Sequence, residues 1–312
     1  MRFSPFPVSG PEVSDCIVAF DGATLARLPV AKVKVAQEFR AVGNERAARI
    51  VEAMPEREGG FLDERAADEL LVAAHCEMQR ISEEFQHGQR VAELLRPIIR
   101  CLREDGLRGT VRVVDIGCGT GYVMRWLAAR DALGPEVELI GADFNAALVN
   151  EANRLAQAEN LSCSFVHANA FRLAQPAHIY LSTGILHHFR RENLTRLFAQ
   201  HEGPATQAFV HFDFHASPLS PFGAWLFHIA RMRTALARHD GVLSAVRAHS
   251  GRRLLAAARE GAPGFVSALY GVRLWGLPIP RAFHALVGLR PQFQWSFARE
   301  LGRRAFSLGV QK

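Results

Sequence analysis

The sequence predicts an α/β protein built on a doubly wound, mostly parallel sheet. Three observations carry that prediction. Short β-branched runs alternate with amphipathic stretches of helical period between about residues 85 and 215. The strand Val113-Val114-Asp115-Ile116 runs into glycines at every second position, Gly117, Gly119 and Gly121, and then into an apolar helix. A second acid, Asp143, closes the next apolar run, Val137 to Ala142, at the distance past Gly121 where a carboxylate that binds ribose hydroxyls is expected. Glycine lacks Cβ, so such a turn can take positive φ and let a bulky ligand lie against the peptide groups. This is the architecture of a nucleoside-cofactor loop.

Each following element keeps the alternation. "NAALVNEANRLAQAEN" after Asp143 reads as an amphipathic helix and "LSCSFVHANAF" as a strand ending in a polar turn. "HIYLSTGILHHF" reads as a further strand with its exit, and Gln207 to Phe212 as a fifth strand leading to Asp213, Phe214 and His215. Before them, Ala67, Leu71, Ala74, Met78, Ile81 and Phe85 share one helical face, with Asp63 as N-cap and Gly59-Gly60 separating an earlier helix. Val91 to Leu102 makes a second amphipathic stretch. After residue 215, Trp225, Ile229, Met232 and Leu236 are spaced as the stripe of one helix flanked by Arg231, Arg233 and Arg238. Such a basic helix can lie in a membrane interface or pack on a sheet; packing is favoured, and peripheral membrane contact is not. "GFVSALYGVRLWGLPIP" reads as a late strand, and "RAFHALVGLRPQFQWSFARELGRRAF" as a short apolar stretch followed by a final basic helix. The expected division is a helical N-terminal cap over 1–108, a cofactor-binding core over 109–215 and a C-terminal part over 216–312.

The glycine spacing separates cofactors. A dinucleotide loop reads GxGxxG and faces a pyrophosphate; here the last glycine falls one residue earlier, giving DxGxGxG. "VVDIGCGTGYV" resembles motif I of the class I S-adenosylmethionine-dependent methyltransferases, and "LSTGILHHF" resembles a segment common in ubiquinone- and menaquinone-type and other small-molecule members. The resemblance implies a Rossmann-like, seven-stranded sheet and S-adenosylmethionine as cofactor. It implies contacts from Asp115, Gly117, Cys118, Gly119 and Gly121, a ribose contact from Asp143, and adenine contacts from Phe144, Asn169, Ala170 and Phe171, with Thr183 near the fourth strand's end. The family usually carries aspartate where Asn169 stands; an amide oxygen can accept the same bond without the charge. Arg90, just before the helix that abuts the sheet, is a candidate for the methionyl carboxylate or a surface arginine on an amphipathic helix.

Catalysis of methyl transfer needs a base only when the acceptor starts protonated. His187 and His188, just past the fourth strand at the edge where open α/β sheets bind ligands, are the candidate bases, although neighbours in a helix point apart. His211 and Asp213 share a strand face and could orient one another; His239, Asp240 and His249 form a looser set. The five cysteines are scattered and no His or Cys spacing suggests zinc, so no metal is expected. No apolar run approaches a membrane span and no signal-peptide plan is present, so a cytoplasmic location is expected.

All but three of the 37 basic residues are arginine, and residues 214–312 hold 14 bases against three acids. That imbalance suits an anionic substrate, an acidic carrier protein, a membrane surface or RNA, or is a solvated face. The fourth strand reads Ser182-Thr183-Gly184-Ile185 where amine methyltransferases carry a motif like NPPY, and no Pro-Cys nucleophile is present, so nucleic acid is disfavoured. The expected function is methylation of oxygen or carbon on a small, aromatic or apolar metabolite. The alternatives are a macromolecule methyltransferase docking through the basic third, or a catalytically silent cofactor-binding subunit. Oligomeric state is left open.

Overall fold

The computed structural model describes residues 10–173, 176–271 and 282–302. The chain forms two compact units, one from 1–81 with 216–247 and one from 82–215 with 248–312. The segment after residue 215 therefore groups first with N-terminal helices, and only from residue 248 with the sheet.

The second unit holds seven strands: β1 (Val111–Ile116), β2 (Val137–Asp143), β3 (Cys163–His167), β4 (Ile179–Thr183), β5 (Ala208–Phe214), β6 (Val266–Gly271) and β7 (Phe283–Leu289). Their spatial order is β6-β7-β5-β4-β1-β2-β3. Pairings from β3 through β5 are parallel, and β7 runs antiparallel to both neighbours. This is the doubly wound, mostly parallel seven-stranded sheet expected from the alternation. Side chains alternate across it as strand geometry requires. Val113, Val210, Ala285 and Val287 pack beneath helices His87–Glu104 and Gln294–Leu301, whereas Val114, Phe209 and Leu286 pack with Glu192–Ala199 and Gly251–Gly261. Both faces are covered, which is why the central strands read as unbroken apolar runs.

Two expectations change here. The fifth strand extends past Phe212 to Phe214, because β7 pairs with its end at Asp213↔His284 and Phe214↔Phe283. The "short apolar stretch" near residue 285 is that strand, and β6 accounts for "VSALYG"; positions 272–281 of the late-strand segment lie outside the described residues.

The first unit is helical, with Lys32–Ala41, Glu45–Glu52, most of Glu64–Glu84, Ser220–Arg231 and Ala235–Arg247. Asp63 caps the long helix as expected, its Oδ1 accepting the Ala66 N–H at 2.8 Å. The stripe Trp225, Ile229, Met232, Leu236 does not share one helix face. The chain turns extended at Met232 (ψ 147°), so Met232 and Leu236 are buried while Ile229 is exposed. The His239–Asp240 set belongs to this unit and is structural: Asp240 accepts the Val13 and Ser14 N–H groups and pairs with His239 Nδ1 at 2.6 Å. Among the described residues no helix is long and apolar enough to cross a membrane.

Candidate active site

The loop after β1 is tied to the end of β2, since Gly117 and Cys118 N–H groups both donate to the Ala142 carbonyl at 2.7 and 3.2 Å. Gly117, Gly119 and Gly121 all take positive φ (68°, 54° and 75°). A Cβ on Gly117 would lie 2.4 Å from Ile185 Cγ2, and one on Gly121 2.3 Å from the Phe165 ring. The backbone, not side chains, forms this surface, and Gly121 caps helix Tyr122–Ala129.

Asp143 lies against the loop. Its Oδ2 accepts the Gly119 N–H and its Oδ1 the Asn145 N–H, both at 2.9 Å. Asp115 is buried beneath, and its Oδ1 has no hydrogen-bond partner among the described residues. Burial, aided by the Asp143 charge, pushes the Asp115 carboxyl up to about 8. Cys118 is likewise pushed well above the usual thiol range, first by burial and then by the same two acids. The 168–171 turn joins this group: Ala168 N–H donates to the Asp143 carbonyl at 2.8 Å, and Asn169 Oδ1 accepts the Phe171 N–H at 2.9 Å. Phe144 is 46 % exposed beside Asp143. Asp115, the glycines, Cys118, Asp143, Phe144, Asn169, Ala170 and Phe171 are thus assembled along one edge. Arg90 is half-buried on helix His87–Glu104, its pKa drawn down by burial, and its side chain makes no hydrogen bond to the loop among the described residues. Thr183 ends β4, in register with Phe212.

A second group forms where β4 and β5 end. His187 sits in the 3₁₀ turn Leu186–His188 and is 2 % exposed. Its N–H donates to Asp213 Oδ2 and its Nδ1 lies 2.8 Å from Asp213 Oδ1, both bonds at 2.8 Å. Burial works against the Asp213 charge, but His187 and the Phe214 and His187 N–H groups outweigh it and hold the carboxyl at about 2. The carboxylate facing Nδ1 fixes the orientation of the His187 ring. The turn is braced by His249, whose Nε2 lies 3.2 and 2.8 Å from the Leu186 and Phe189 carbonyls. His188 does not point away from its neighbour as helical spacing suggested; the tighter turn leaves the two rings 4.4 Å apart.

Aromatic groups line the same strand ends. Phe214 and Phe283 lie 4.7 Å apart, Phe85 and Phe283 5.1 Å, and Phe171 and Phe189 5.2 Å. Among them sits His87, a residue that sequence reasoning passed over. It is edge-on to Phe283 at 4.6 Å, with Nδ1 3.3 Å from Ser82 Oγ and a buried Nε2 without a partner among the described residues. Burial lowers its pKa to about 4. Also missed was a buried chain in which Ser182 Oγ meets His211 Nδ1 at 2.7 Å and His211 Nε2 meets His201 Nε2 at 2.9 Å. His211 and Asp213 do share a face, as alternation predicts, but each is satisfied by a different partner. Nothing in local sequence marks His201, which arrives from the end of another helix.

A family model described as a methyltransferase domain matches residues 113–202. The chain is 33 % identical over 109 residues to trans-aconitate 2-methyltransferase of Pseudomonas paraeruginosa (strain DSM 24068 / PA7), covering 34 % of this chain and 37 % of that protein. It thus spans less than two fifths of the length of that curated relative. Among solved structures it resembles the plantazolicin methyltransferase BpumL, crystallised with a monoazolic desmethylPZN analog and SAH, with a TM-score of 0.50 at 14 % identity over 83 % of this chain and 96 % of that one. Magnesium protoporphyrin IX methyltransferase from Synechocystis PCC 6803 aligns with a TM-score of 0.45 at 18 % identity, over 83 % and 99 % of the two chains. The seven-stranded sheet thus has the Rossmann-like fold of the class I methyltransferases, and residues 113–202, which hold the glycine loop, match the methyltransferase domain.

Proposed function

We propose that the chain transfers the methyl group of S-adenosylmethionine to an oxygen or carbon of a small, apolar or aromatic metabolite, with His187 as general base. The observation that carries this reading is the buried His187–Asp213 pair at the ends of β4 and β5. The cofactor, when bound, supplies a methyl group made electrophilic by its sulfonium. The loop residues fit it: glycines at positive φ whose backbone forms the surface and whose packing on Ile185 and Phe165 leaves no room for a Cβ, Asp143 for the ribose hydroxyls, and a buried Asp115 oxygen without a donor among the described residues. Phe144 and the Asn169–Phe171 turn offer an apolar ring and an amide for the adenine.

On the acceptor side, His187 Nε2 takes the proton of a phenol, enol or activated carbon. The Asp213 carboxylate stabilises the imidazolium and keeps the ring from rotating. The phenylalanines exclude water and favour an apolar acceptor.

The test is transfer of tritiated methyl from S-adenosylmethionine into extract of the encoding organism, separated into organic-soluble, protein and RNA fractions, with Asp143→Ala and His187→Gln alongside. Organic-soluble label from the native protein, lost in both variants, is the expected result. Label in protein or RNA replaces the acceptor class proposed here, and full transfer by His187→Gln removes the histidine from its role.

A further inference from the structure

Helix Ser220–Arg231 buries only one of its side chains, His228. His228 fits against Gly241 of helix Ala235–Arg247, where a Cβ would lie 1.8 Å from Nε2, so the absence of a side chain there lets the two helices meet. On the other side, Leu219, Phe222, Leu226 and Ile229 are 60 %, 50 %, 49 % and 48 % exposed. They follow one another at spacings of three, four and three, so they form a single stripe, about 15 Å long at the rise of an α-helix. Gly223 and Ala230 are exposed as well, and Phe222 stacks on Trp225 with centroids 6.0 Å apart.

Charge decides what such a stripe fits. No Asp or Glu occurs from residue 214 to 239, whereas Arg231, Arg233 and Arg238 follow at the C-terminal end of the stripe. Arg231 and Arg233 are exposed. A second copy of the chain would bring the same arginines to the stripe, and an acid beside them, Glu77, is already engaged by the Arg233 and Thr234 N–H groups. An acidic partner would answer the arginines but not the apolar length between them. A bilayer containing anionic lipid answers both, because the stripe enters the acyl boundary while arginines stay with the phosphates.

We infer that helix Ser220–Arg231 docks the protein on anionic membrane surfaces, lying in the plane of the interface. Leu219, Leu226, Ile229 and Phe222 enter the lipid; Trp225, stacked on Phe222, sits at headgroup depth, and the arginines that follow extend their stems along the boundary. This goes beyond the methyl-transfer reading and stands without it, because none of these residues belongs to the sheet or its loops.

The experiment is sedimentation of the full chain with phosphatidylcholine vesicles, with and without phosphatidylglycerol. Retention on the anionic vesicles, weakened by salt, is expected, with little on phosphatidylcholine alone. Leu226→Glu with Ile229→Glu should lower the partition by about tenfold or more, while the melting temperature and S-adenosylhomocysteine affinity stay unchanged because both positions are exposed. Failure of the native chain to bind at low salt overturns the inference, as does undiminished binding by the double variant. A concentration-dependent dimer that the double variant abolishes, without vesicle binding, would reassign the stripe to self-association.

Discussion

The two ends of the sheet edge that carries the glycine loop and His187 are built by different means. At the β1–β2 end the surface is backbone: three glycines at positive φ, with one aspartate held by the N–H groups of Gly119 and Asn145. At the β4–β5 end it is side chain: His187 held by Asp213, 26 residues further along the chain, with Phe214 edge-on to its ring. A backbone site tolerates little change in shape, because its atoms cannot rotate away. A side-chain site tolerates changes of shape better than changes of charge, because its geometry rests on the hydrogen bonds that one carboxylate accepts from His187.

The largest effect should come from crowding the glycine loop. Gly121→Val places branched carbon where Phe165 stands and requires a conformation that β-branched residues rarely adopt; it should cost about 3 kcal/mol or more and abolish S-adenosylhomocysteine binding by calorimetry. If binding survives with native affinity, the loop is not the cofactor surface. Next, Asp213→Asn keeps the shape of the second site and removes its charge. It should lower turnover about 10²–10⁴-fold while S-adenosylhomocysteine affinity stays within a factor of two or so. Equal losses in both would mean that the two ends are not separable as described.

A smaller effect distinguishes the two carboxylates by pH. Asp115 has its usual value of 3.8 when unfolded and about 8 when folded, so across that interval the folded state holds a proton that the unfolded state has released. Stability from this group therefore falls as pH rises from about 4 towards 8. Asp213, held at about 2, acts in the opposite sense and loses its contribution only below pH 4. Melting temperatures of Asp115→Asn should decline less than those of the native protein between pH 5 and 8; parallel curves would show that Asp115 is ionised in the fold. The smallest change should be at His87. Replacing it with Phe removes a buried nitrogen without a partner and keeps an aromatic edge on Phe283, so stability should rise by about 1 kcal/mol. A fall in melting temperature would mean that Nε2 is satisfied.

These two ends also differ in how they can be read from sequence. The glycine loop, Asp143 and the turn at Asn169 are each local, and their spacing carries their geometry. The Asp213 partnership is not: alternation places His211 and Asp213 on one face, but which of them meets His187 depends on how the chain leaves β4. Strand β5 reads as ending at Phe212 because its last pairings are with β7, some 70 residues later, and no local pattern announces a partner that distant. His87 reads as lying just before an amphipathic helix, and the packing of Phe283 against it is a contact no local pattern announces. The stripe from Trp225 to Leu236 has helical spacing on paper, but the chain leaves the helix at Met232 and divides the stripe between buried and exposed residues.

Sequence alone determined the doubly wound α/β sheet, the glycine cradle and its acid, because strand alternation, glycine conformation and short-range spacing act over a few residues. Tertiary structure alone decided which histidine is held by a carboxylate, where β5 ends, which residues join the helical unit, and which face of helix Ser220–Arg231 stays uncovered. Those outcomes depend on contacts between segments distant in the chain, and the free energy of such contacts resides in the packed partners rather than in either segment by itself.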